Sequence, residues 1–169
     1  LFKAKIDANP NAELLRFSIS LQDNQSWCSC DSCRAMEEKY GGKSATIIKF
    51  MCDQLDLLNE YVEQQGLSID IRMSTLAYYA AITAPVLTDA KGNYYLADGE
   101  LCRDGIEVLF APLGANTAES LRGTANSGIY SNLKKWQLIT DKFAFWLYTT
   151  DFSDYLAPYD WWTGLKENI

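Results

Sequence analysis

The sequence predicts an α/β fold on a mostly parallel sheet, and three observations predict it. Four apolar segments of strand character recur along 169 residues, helical segments are set between them, and 48% of the chain is hydrophobic. Strands alternating with helices need crossover connections, which makes their pairing parallel. The length suits one domain, residues 1–169, at a typical ~100–200 residues each.

The first strand is read over 14–21, where Leu15, Phe17, Ile19 and Leu21 alternate with smaller or polar residues. Before it, Asp7-Ala8-Asn9-Pro10-Asn11 reads as a turn leaving a helix. A long polar loop follows over 22–42, with a short helix at 32–39. The clearest helix spans 44–65: Ile47, Met51, Leu55, Leu58 and Val62 recur at helical spacing, Ser44 stands at the capping position, and Gly66 suits a left-handed end. Strand segments follow at 68–76 and 106–111, separated by a surface hairpin at 89–96. A helix at 131–140, a strand at 143–148 and a terminal helix at 160–167 complete the order.

Four strands are too few for a closed eight-stranded barrel, which takes about 200 residues or more. Two architectures remain: an open, mostly parallel sheet with flanking helices, or part of a (β/α)₈ barrel. In both, ligands gather at the carboxyl ends of the strands. Those ends are Gln22-Asp23-Asn24, Ala77-Tyr78-Tyr79, Pro112-Leu113-Gly114 and Tyr148-Thr149-Thr150-Asp151.

Composition removes several function classes. The chain has no histidine, so Ser-His-Asp triads, Cys-His proteases and His-ligated metal sites are excluded. A net charge of −7 repels phosphate backbones, so no nucleic-acid partner is expected. No run approaches the ~18 apolar residues of a membrane span. The sequence contains no Walker loop, Gly-x-Gly-x-x-Gly or nucleophile elbow. The first residue is Leu1 rather than Met, and the chain is expected to be part of something longer.

Three features carry chemistry. Asp23 ends the first strand beside Gln22 and Asn24; a carboxylate there serves glycoside cleavage, or else caps the loop. Trp27-Cys28-Ser29-Cys30-Asp31-Ser32-Cys33 has thiol spacing suited to zinc or part of an iron–sulfur cluster, with Cys52, Cys102 or Asp31 as the fourth ligand. It lacks a second C-x-x-C knuckle, so it is read as shaping the loop, with neither metal nor cofactor expected. The chain is also 13% aromatic. Sugar rings stack on such side chains, and Tyr78 and Tyr148, at strand ends, are the better ligand candidates, whereas Trp136, Phe143 and Phe145 are read as core.

Taken together, these motifs resemble the family called domain of unknown function 4838. The resemblance rests on Ser20-Leu21-Gln22-Asp23-Asn24, Trp27-Cys28-x-Cys30-x-x-Cys33, Thr75-Leu76-Ala77-Tyr78, Phe145-Trp146-x-Tyr148-Thr149-Thr150-x-Phe152 and Tyr155-Leu156-x-Pro158. It covers roughly residues 10–169. The resemblance implies a glycoside hydrolase family 163-like protein, an endo-β-N-acetylglucosaminidase of gut bacteria, secreted or periplasmic. This chain would then be the carboxyl-terminal part of its barrel. Asp23 would act in catalysis, and Asn24, Tyr78, Trp146 and Tyr148 would bind an N-acetylhexosamine-containing glycan. The alternative is a non-catalytic carbohydrate-binding or scaffold domain of the same fold. Open sheet edges would favour self-association.

Overall fold

The structure is a computed structural model and describes residues 1–22, 26–97, 101 and 104–168. Its elements follow the predicted order. They are α1 (Phe2–Asp7), β1 (Leu14–Ser18), α2 (Asp31–Tyr40), α3 (Ala45–Gln64), β2 (Asp70–Ala77), β3 (Leu87–Thr88), β4 (Tyr94–Tyr95), β5 (Ile106–Phe110), α4 (Ser127–Trp136), β6 (Phe143–Phe145) and α5 (Trp162–Asn168). Short 3₁₀ turns, Tyr79–Ile82 and Thr124–Asn126, follow β2 and precede α4.

The main sheet runs β1-β2-β5-β6, every pair parallel, while β3 and β4 form a separate antiparallel hairpin. Spatial order therefore equals chain order. A doubly wound sheet reverses direction at a switch point; this one does not, so same-handed crossovers carry its helices to one face. Among the described residues β1 and β6 are the two edges.

Side-chain alternation divides the two faces. Phe17, Met73 and Ile106 share one row of the register, and Thr75 and Val108 share the next. These residues are buried, and the apolar ones join Ile48, Met51, Leu55, Leu58 and Val62 of α3 and Trp136 of α4 in one core. The opposite face carries Arg16, Arg72 and Glu107. Glu107 accepts from Arg16 Nε at 3.0 Å and from Arg72 Nη1 at 3.1 Å, while Arg72 Nε donates to Asp70 at 2.8 Å.

Several local details differ from expectation. The first strand, read over 14–21, ends at Ser18, and the helix read over 131–140 spans Ser127–Trp136. Phe145, read as core, is 46% exposed on edge strand β6. Ser44 does not cap α3; its buried hydroxyl donates to the Thr83 carbonyl at 2.6 Å, fastening the helix start to the loop after β2. The last strand ends at Phe145 instead of continuing to Tyr148, its final ladder bond being Trp146 N–H to the Phe110 carbonyl at 2.9 Å. β5 is too short to pair further, so the chain turns away there. Gly66 does take the left-handed conformation, with φ 65°. Gly105 is needed at the entry to β5: its φ is 94°, and a Cβ would lie 2.7 Å from the Ile71 carbonyl oxygen.

Candidate functional site

Parallel strands in chain order bring all four carboxyl ends to one edge of the sheet. Ala77, Phe110 and Phe145 form the last full register row. The next positions are Tyr78, Ala111 and Trp146, joined by Ala111 N–H to the Ala77 carbonyl at 3.1 Å and by the Trp146 ladder bond. Two large aromatic residues thus flank a small one, on extended backbone in the case of Tyr78. Trp146 is half exposed at 51%, and the Tyr78 ring lies 4.2 Å from that of Tyr79.

Tyr79 has φ 48°, the non-glycine residue with positive φ among those described. An aromatic side chain in that region is strained, and such outliers concentrate at functional edges. It comes directly after Tyr78 and redirects the chain into the 3₁₀ turn.

Beyond β5 and β6 lies a cavity of about 280 Å³, close to the lower end of the roughly 300–1,000 Å³ of small-molecule sites. Tyr148, Tyr159 and Trp161 line it, as do Glu119 and Asp151. Tyr148 is set edge-on to Phe152, with ring centroids 5.5 Å apart. Trp161 stacks on Trp162 at 4.0 Å, at the start of α5.

The walls are held by a polar clasp. Asn126, 1% exposed, accepts from Asn116 N–H at 2.8 Å and donates to the carbonyls of Asn116 and Ser120, each at 2.9 Å. Thr117 Oγ1 donates to the Asp160 carbonyl at 2.5 Å, tying the loop after β5 to the segment before α5. Gly164 completes the closure: a Cβ there would come within 2.3 Å of the Glu119 carbonyl oxygen.

Both cavity carboxylates have local partners. Asp151 accepts from Ser153 N–H at 2.8 Å, and Glu119 from the Asn116 amide at 3.4 Å. Neither takes part in an ion pair among the described residues. The negative charge here is therefore available to hydroxyl donors of a neutral ligand.

Of the residues singled out from sequence, Tyr78 and Trp146 meet in one row and Tyr148 lines the cavity. Asp23 and Asn24 lie outside the described residues. Sequence reasoning passed over Glu119, Asn126 and Trp161 as site residues. Asp151 stood at a strand end and was open to inspection; Asn126 gave no signal, being an amide whose partners Asn116 and Ser120 are set by the path of its own loop.

The cysteine run leaves the loop after β1 and enters α2. Cys30 is the residue before the helix, Cys33 lies in its first turn, and the Sγ atoms of Cys28, Cys30 and Cys33 lie within 4.8 Å of one another. Backbone N–H of Cys33, then the neighbouring thiols, lower the Cys30 thiol to about 7. Hydrogen bonding with Cys28 and Cys30 pushes Cys33 up to about 12.

The fold and this edge define an α/β domain whose parallel strands present an aromatic, acidic face at their carboxyl ends. The chain belongs to the family described as domain of unknown function (DUF4838), whose profile matches residues 2–169. No curated protein and no solved structure matches it.

Proposed function

We propose that this is a glycoside hydrolase-like domain that takes an N-acetylhexosamine-containing glycan at the carboxyl edge of its sheet. The endo-β-N-acetylglucosaminidase type follows from the resemblance of its motifs. The observation that carries the reading is the cavity where Tyr148, Tyr159 and Trp161 stand with Glu119 and Asp151. Aromatic rings supply apolar faces for a pyranose, and carboxylates accept its hydroxyls. Tyr78 and Trp146 extend the same edge toward β2, giving a longer glycan further places to rest. Asp23 is the proposed catalytic carboxylate, with Asn24 beside it.

A non-catalytic binding role is the second reading, and one observation favours it. Asp151 is engaged by the amide of Ser153 and Glu119 by the side chain of Asn116, as in a cavity that orients a ligand. Association of copies through the outer edges of β1 and β6 belongs to the same proposal, since unpaired strand edges invite pairing.

Titration calorimetry with N,N′-diacetylchitobiose and a high-mannose N-glycan tests binding. Tyr148→Ala and Trp161→Ala should each weaken it by about tenfold or more, at 1–3 kcal/mol for a lost aromatic platform. Binding unaltered by both substitutions overturns the site. Release of reducing ends from the N-glycan separates the two readings, and Asp23→Asn should cut turnover by about 10²-fold or more if Asp23 is the acid or base.

A further inference from the structure

The cysteine cluster has no part in glycan binding as proposed, and its geometry reaches further than its sequence. Cys28 and Cys30 are exposed and Cys33 is half-buried. Unpaired cysteines are normally among the most buried residues, so core filling does not account for three of them in one surface loop. Cys52 shows the ordinary case: it is buried in α3.

Sulfurs bound tetrahedrally at about 2.3 Å from a zinc ion stand roughly 3.8 Å apart. The three Sγ atoms, all within 4.8 Å of one another, need little movement to occupy one face of such a tetrahedron. Local backbone already prepares this. Cys30 is extended, with φ −65° and ψ 163°, at the point where the loop enters α2. Backbone N–H groups of Ser32 and Cys33 are directed at the Cys30 sulfur, as a metal-bound thiolate requires of its surroundings.

The donor set also limits the cation. Among the described residues it is sulfur alone: the chain has no histidine, and the intervening Asp31 pairs with Arg34 at 2.5 Å instead of joining the group. Thiolate ligands select zinc and other thiophilic ions over magnesium or calcium. Among the described residues no fourth Cys, Asp or Glu joins the cluster.

We propose that Cys28, Cys30 and Cys33 bind one Zn²⁺ as thiolates. Each thiol gives its proton to solvent as the Zn–S bond forms, with no change of oxidation state. The ion would clip the loop after β1 to the start of α2.

The test uses the full chain, purified without chelators and kept reduced. Native mass spectrometry and elemental analysis should find one zinc per chain. Co²⁺ titrated into the zinc-free protein should give thiolate charge-transfer bands and the visible bands of a tetrahedral site. Cys28→Ser, Cys30→Ser and Cys33→Ser should each weaken Co²⁺ binding by at least about tenfold. Alkylation mapped by peptide mass spectrometry is the check that needs no variant: zinc should protect all three thiols together. Reduced protein that holds no zinc and gives no Co²⁺ bands overturns the proposal. So does a disulfide within the trio that persists through reducing purification, or alkylation of the three thiols at equal rates with and without zinc.

Discussion

On the covered face of the sheet, Phe17, Met73 and Ile106 lie in one register row beneath the helices, whereas the other face sets Arg16 and Arg72 against Glu107. The two faces are made by the same strands, one residue out of step. One gains stability by removing apolar surface from water, the other by satisfying charges with one another. The polar face also changes along its length: ion pairs occupy its amino-terminal half, and Tyr78 and Trp146 its carboxyl edge. Where charges are paired off, little remains for a ligand; where aromatic rings are left half exposed, a ligand has something to bind. Exposed aromatic surface and paired charge thus occupy different ends of one face.

The largest expected effect falls on the covered face. Met73→Ala, at a fully buried position, should cost about 2–5 kcal/mol in urea unfolding. A cost under 1 kcal/mol would mean that this face does not carry the fold. On the polar face Glu107→Ala removes two ion pairs and should cost about 1–2 kcal/mol at low salt, less in 1 M NaCl. If the loss equals that of Met73→Ala and ignores salt, the contrast between the faces is void.

Thr75 sharpens the comparison from the other side. It sits on the covered face, 3% exposed, and its hydroxyl has no partner among the described residues. Thr75→Val keeps the shape and removes an unsatisfied polar atom, so stability should rise by about 1 kcal/mol. A fall would show that the hydroxyl is bonded after all.

The smallest effect concerns the ion pair flanking β6. Asp104 accepts from Lys142, and that hydrogen bond, then the ammonium charge, holds its carboxyl below the usual range. A lowered folded value stabilises the protein above the unfolded carboxyl range, and the contribution disappears as pH falls through the lowered value. In Lys142→Met the carbon-13 titration of Asp104 should move up toward the ordinary carboxylate range. An unmoved curve would assign the shift to the Gly105 amide instead.

Periodicity made much of this legible. The apolar spacing of α3 names Met51, Leu55, Leu58 and Val62 as buried, since the pattern is written locally and matches the geometry of one element, though at its start Ile48 and not Ile47 takes the core position. Strand ends were harder to read. The predicted last strand continued to Tyr148 because its residues stay apolar and aromatic, yet pairing stopped at Phe145, where the partner strand ends. Apolar character records a preference for burial, whereas the end of a strand depends on a neighbour distant in sequence.

The sequence alone determined the α/β order, the parallel pairing it entails, the absence of imidazole chemistry and the aromatic character of the strand ends. These follow from residue type and from spacings of a few positions. Tertiary structure decided which of those aromatics share a site. Thr117 bonding the Asp160 carbonyl, Gly164 admitting the Glu119 carbonyl, and Glu107 pairing with Arg16 and Arg72 all require segments brought together by folding. No local pattern records such a meeting, because the energy that fixes it comes from contacts between parts of the chain that do not see each other until the sheet has formed.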